Sequence, residues 1–110
     1  MSHSDPVTTL VRYFPKKGKE EEFVALLEKH WPTLDQLGLV TKMSPQVWRA
    51  SDKETHELHF VELFQWRNEQ ASEVAHHTPE VMAVWEAMGT VLERLQLARL
   101  EPLRSSVASV

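Results

Sequence analysis

The residues best suited to chemistry lie between His56 and Gly89, where imidazole and charged side chains are set among large aromatic rings. His76 is the first candidate. It sits at a polar corner, RNEQASEVAHHTPE, between the apolar stretches FVELFQW and VMAVWEAMG. An imidazole with an unperturbed pKa of about 6.5 can give or take a proton at neutral pH. His77 is its alternate. Arg12 and Glu62 are the second candidates, because each interrupts an otherwise apolar strand-like run. Trp48, Phe60, Phe64 and Trp85 are the rings expected to line a pocket for a hydrophobic small molecule.

No resident metal is expected. His56 and His59 are three apart on a predicted strand and point to opposite faces. His76 and His77 are adjacent and diverge, and no pair of histidines shows the one-turn spacing of a zinc-binding helix. His30 falls on an apolar helical stripe and reads as a core histidine. The chain has no cysteine, which removes thiolate ligands, disulfides and a cysteine nucleophile together. No glycine-rich phosphate cradle or serine nucleophile elbow is present, and no cofactor is expected.

The net charge of −4 and pI near 5.8 lack the basic footprint of a nucleic-acid binder. No apolar run approaches the ~20 residues that a membrane helix needs. The opening MSHSDPVTT has no apolar core of a secretory signal. These features predict a cytoplasmic protein with neither nucleic acid nor membrane as partner. Its 110 residues predict one domain over 7–103, with a disordered N-terminus at 1–6 and a flexible tail at 104–110.

The elements that must position these residues follow from periodicity. Val7 to Phe14 reads as a strand ended by Pro15. After the Lys-Lys-Gly turn, a helix starts near Lys19, with Phe23, Leu26, Leu27, His30, Trp31 and Leu34 on one stripe. Pro32 is expected to kink or stop it, and Gly38 to end it. Gln46 to Ala50 and Thr55 to Trp66 read as strands. Asn68 is expected to cap a short helix, and Thr78 a second, with Pro79 at its first position. That helix carries Val81, Val84, Trp85, Met88, Val91, Leu92 and Leu95 on one side. A last strand is expected over Ala98 to Leu103. The order β-α-β-β-α-β is the ferredoxin-like α+β pattern: an antiparallel sheet with its helices on one face.

Alternation assigns the sheet faces. The side of Val11 and Val61 is expected to meet the helices. Leu10, Arg12 and Phe14 are then expected to share the far face with Leu58, Phe60, Glu62 and Phe64. A face that aromatic needs a cover, and a second copy of the same sheet supplies one, giving an isologous homodimer. Arg12 and Glu62 would there form an ion pair, since an unpaired buried charge costs several kcal/mol.

The segments VRYFPKKGKEEEFVALLEKHWPTLDQLGLV, FVELFQW and AHHTPEVMAVWEAMG, which span most of residues 7–89, resemble the dimeric α/β-barrel superfamily. Within it, they resemble small proteins related to the antibiotic biosynthesis monooxygenase (ABM) domain. The resemblance implies a ferredoxin-like protomer, a barrel built from two sheets and a cavity between sheet and helices. Relatives use such cavities for cofactor-free oxygenation, haem handling or small-molecule binding. Some oxygenase relatives use an Asn-Trp-His set, and the haem-degrading ones a helix histidine; His76 or His77 beside Trp66 or Trp85 would fill that place. The single asparagine, Asn68, reads as a helix cap. The expected function is a homodimer binding a hydrophobic small molecule and acting on it as a cofactor-independent monooxygenase. The alternatives are a non-catalytic binding or assembly module and a haem-binding protein.

Overall fold

A computed structural model describes residues 5–103. Of the ends expected to be disordered or flexible, 1–6 and 104–110, residues 1–4 and 104–110 lie outside the described residues. Four strands and three helices alternate as β1 (Val7–Pro15), α1 (Glu20–Gln36), β2 (Gln46–Ser51), β3 (Leu58–Trp66), α2 (Ala71–His76), α3 (Pro79–Val91) and β4 (Leu92–Leu100). The sheet is antiparallel in the order β2-β3-β1-β4, with β1 and β3 central as the ferredoxin-like pattern requires.

Helix α1 forms where Phe23, Leu27, His30 and Leu34 bury one stripe and Glu20, Glu21 and Glu22 occupy the first turn, where the helix dipole favours negative charge. Pro32 does not stop it, and the helix runs on through Gln36. It ends at Gly38, whose φ is +72°. The Gly38 N–H donates to the Asp35 carbonyl at 3.0 Å and the Leu39 N–H to the Leu34 carbonyl at 3.0 Å. That pairing satisfies the last carbonyls and favours glycine at the left-handed position.

Several boundaries differ from expectation, among them the start of α2, whose N-cap position is Gln70 and not Asn68. Strand β3 begins at Leu58, not Thr55, because the Asp52 carboxylate accepts the N–H groups of Glu54 and Thr55, both at 2.8 Å, and holds those residues in a turn. Thr78 precedes α3 in extended conformation, but its side chain does not cap the helix. Its hydroxyl donates backwards to the Val74 carbonyl at 2.7 Å. Strand β4 starts at Leu92, directly after Val91, not at Ala98. The leucines from Leu92 onward suit either period. Pairing with β1 over Thr8 to Pro15 selects the strand.

The register also corrects the assignment of faces. Val11 lies opposite Glu62, and Tyr13 opposite Phe60. Thr9, Val11, Tyr13, Phe60, Glu62, Phe64 and Trp66 are therefore the buried, helix-facing set. Arg12 lies opposite Val61 and Gln96 and belongs to the outer face with Leu10, Phe14, His59 and Leu63. The expected Arg12–Glu62 ion pair does not exist, because the sheet separates the two side chains. The physical reason is volume. Stacked layers lie roughly 10 Å apart, and rings fill that space better than valines do.

Candidate functional site

Between the sheet and the helices lies a cavity of about 410 Å³, within the usual size range of small-molecule pockets. Strand β1 supplies Thr9, Val11 and Tyr13, and β3 supplies Phe64 and Trp66. Helix α1 contributes His30; α2 contributes Ser72 and His76; α3 contributes Trp85, Met88 and Gly89. Strand β4 borders the far side with Leu95, Leu97 and Arg99, and there the cavity opens to solvent, with both leucines exposed. Most of this lining is apolar, so its few polar groups decide what the cavity can do.

Those groups form one connected chain. The Tyr13 hydroxyl donates to Glu62 Oε1 at 2.6 Å. His30 Nδ1 lies 3.0 Å from both Glu62 oxygens. On the opposite side of that ring, Trp85 Nε1–H donates to His30 Nε2 at 2.9 Å. An Nε2 that accepts carries no proton, so the network assigns the neutral imidazole with its hydrogen on Nδ1, donated to Glu62. Both nitrogens are thereby satisfied, as a buried histidine requires. Phe64 meets the His30 ring edge-on at 5.6 Å and fixes its plane.

Glu62 does not line the cavity. It stands behind Tyr13 and His30, 1% exposed. Burial pushes the Tyr13 phenol well above the ordinary tyrosine value, and the Glu62 charge and the hydrogen bond to it raise it further. Tyr13 therefore stays a neutral donor, committed to Glu62.

The sequence-derived candidates divide between two places. His76, Trp85 and Phe64 line the cavity. His76 is exposed at its mouth, edge-on to Trp85 at 4.8 Å between ring centres, with Nδ1 held by the Ser72 carbonyl at 2.7 Å. His77 instead faces the exposed Glu73 carboxylate at 3.1 Å. Phe60 sits in the core against Phe23, 5.5 Å away, and is not part of the cavity wall.

Trp48 and Arg12 lie on the outer face. Trp48 pairs with Val61 and is 49% exposed. Arg12 Nη1 donates to His59 Nε2 at 3.3 Å, in a polar hollow completed by Phe14, Glu57 and Arg94. There the Arg94 guanidinium grips Glu57 with two bonds of 3.0 and 3.1 Å and lies 3.8 Å over the Phe14 ring. Its hydrogen bonds hold the Glu57 carboxyl below the usual carboxylate range.

Tyr13 and His30 are the site residues that sequence reasoning missed. The signal was present. Tyr13, His30 and Glu62 are each a polar residue on an apolar stripe, one per element, and three such residues can satisfy one another when their elements meet. Among the described residues, no cluster of three or more His, Asp or Glu side chains could hold a metal ion, and no helix is long and apolar enough to cross a membrane.

This geometry can be set beside known proteins. No protein-family profile matches the sequence, and no curated protein matches it. Solved structures do. SnoaB, a cofactor-independent oxygenase from Streptomyces nogalater, in a mutant form, aligns with a TM-score of 0.72 at 16% identity, over 91% of this chain and 95% of that one. Rv0793 from Mycobacterium tuberculosis aligns at 0.68 with 20% identity, over 91% and 97%. PA3566 from Pseudomonas aeruginosa aligns at 0.69 with 17% identity, over 94% and 100%. The chain thus shares the ferredoxin-like α+β fold of these structures over nearly its whole length.

Proposed function

We propose that this protein is an ABM-like homodimer that binds a hydrophobic small molecule in the inner cavity and oxygenates it without a cofactor. The observation that carries the reading is His30 on the floor of a mostly apolar cavity, with the Glu62 carboxylate directly behind it. A neutral imidazole whose Nδ1–H is held by a buried carboxylate is oriented to accept a proton at Nε2. His76, at the mouth, exchanges that proton with solvent.

The reaction balances without an external reductant. His30 takes the acidic proton of the ligand, held as the O–H of its enol tautomer, and the delocalised carbanion so formed passes its electrons to dioxygen. The resulting peroxide is protonated and loses water. A methylene plus O2 becomes a carbonyl plus H2O. An apolar wall supports this sequence by excluding solvent from the carbanion. The likeness to SnoaB supports the choice of oxygen chemistry.

The dimer is the second part of the proposal. The protomer measures 43 × 40 × 19 Å, the thickness of one sheet and one helix layer. Its outer face carries Leu10, Val61, Leu63, Leu100 and the half-exposed Trp48, and a second copy of that face covers them.

The test is ligand-dependent stabilisation with fused-ring phenols and ketones, followed by oxygen-electrode assay of those that bind. Gly89 lines the cavity, and a Cβ added there would meet nothing within 4 Å. Gly89→Leu is therefore expected to fold, fill the cavity and abolish the thermal shift. Oxygen uptake lost in His30→Gln with binding retained supports catalysis. Ligand shifts that persist in Gly89→Leu would overturn the cavity assignment. A Soret band on adding haemin, lost in His76→Ala, would replace oxygenation with haem binding.

A further inference from the structure

The cavity floor is already occupied by the protein itself. Trp85 Nε1–H donates to the one lone pair through which His30 could accept a proton. His30 has no second accepting nitrogen, because Nδ1 is turned to Glu62. As it stands, His30 cannot serve a ligand, and whatever engages it must take the place of the indole.

We propose that the cavity selects neutral ligands that carry an O–H or N–H donor on a flat apolar body, that this donor displaces the Trp85 indole from His30 Nε2, and that anions are rejected. This deepens the preceding reading of the same cavity and rests on it.

The chemistry of the floor gives the selectivity. The Tyr13 hydroxyl is committed to Glu62, so it offers the ligand no donor. Glu62 places a buried carboxylate directly behind His30. An incoming carboxylate would meet that charge in a poorly screened site, and the repulsion costs far more there than in water. The cationic group at the rim, Arg99, pairs with Glu69 at 3.0 Å. His76, also at the rim, turns Nδ1 to the Ser72 carbonyl.

A donor on the ligand restores the bond that Trp85 gives up. A ligand without one leaves His30 and the indole with no gain from separating. Space for the ligand exists beside Trp85, because Gly89, one helical turn on, presents no side chain to the cavity.

Matched naphthalenes test the proposal by calorimetry on the intact protein at neutral pH. 2-Naphthol is a neutral donor, 2-methoxynaphthalene has no donor, and 2-naphthoate is an anion. Expected affinities place 2-naphthol roughly twofold above 2-methoxynaphthalene, one good hydrogen bond largely offset by the one that the indole gives up, with 2-naphthoate weakest. Trp85→Phe keeps an aromatic ring and removes the competing N–H. It should tighten 2-naphthol about fivefold and leave 2-methoxynaphthalene within about twofold. The 15N resonance of His30 Nε2 should move on adding 2-naphthol and stay put with the methoxy compound.

Equal binding of the three probes, tighter binding of 2-naphthoate, or no selective gain in Trp85→Phe would overturn the inference while leaving the cavity reading intact. Failure of all three to bind would overturn both. His30→Leu should erase the preference for 2-naphthol. If that variant does not fold, the Trp85→Phe pair of measurements decides alone.

Discussion

The two faces of the sheet use the same kinds of side chain to opposite ends. On the inner face, Glu62, His30, Tyr13 and Trp85 form a chain in which the carboxylate and imidazole are buried and every donor has an acceptor. On the outer face, Glu57, His59, Arg12 and Arg94 surround Phe14, with the Glu57–Arg94 pair near water. The cover, not the residue type, sets the energetic weight. A buried carboxylate depends wholly on its partners, whereas an exposed one can exchange them for water.

The sharpest break of this contrast is Glu62→Ala. It leaves the Tyr13 hydroxyl and the His30 Nδ1–H without their buried acceptor and opens a void where the side chain was, and urea unfolding should show a loss of roughly 3–5 kcal/mol. A loss below about 1 kcal/mol would mean that water reaches the inner network.

Next in size is the outer face. Leu63→Asp places a charge at the proposed sheet-to-sheet contact. Sedimentation velocity at micromolar concentration should show a shift from dimer toward monomer, with Kd raised roughly a hundredfold. A persistent dimer would place the contact elsewhere.

Tyr13→Phe sharpens the contrast within the inner face. It removes one of the partners of Glu62 and should cost about 1–2 kcal/mol. Tyr13 is the chain's single tyrosine, so its titration can be followed by ultraviolet absorbance without interference. Its folded phenol ionises later than the unfolded one. The associated stability is complete below about pH 10 and is lost as the pH rises through the folded value. Phenolate absorbance should therefore appear together with unfolding, not before it. A phenolate that forms in the folded protein at the ordinary tyrosine pH would show Tyr13 to be wet.

The smallest expected effect is Glu57→Gln. Despite two short bonds to Arg94, the melting temperature should not change measurably, because solvent screens the pair.

Element order and the helical stripe of α1 were legible from periodicity, and the central pairing of β1 with β3 followed from the ferredoxin-like pattern which that order implies. The face assignment was not. Val11 and Val61 are equally β-branched, yet one faces the helices and the other the outer surface. Strand alternation defines two sets but does not say which set the helices cover. The polar residues held the answer. Glu62 on a ring-bearing face makes sense only if another element brings it a partner, and α1 carries His30 for that purpose. Strand β4 was misplaced because its leucine spacing suits two periods, and only pairing with β1 separates them. The site was half legible. His76, Trp85 and Phe64 fall in the cavity wall. Trp48 and Arg12 went to the other side with the face error, and Phe60 went into the core.

Strand β4 contributes Leu95, Leu97 and Arg99 to the cavity wall while lying at the rim of the sheet, hydrogen-bonded to β1 alone. A bulky guest pressing outward there strains one ladder, whereas pressing against β1 or β3 would strain two. The pocket accordingly has a compliant side and a stiff side. Tolerance for variation in guest shape should concentrate on the substituents that point toward the rim.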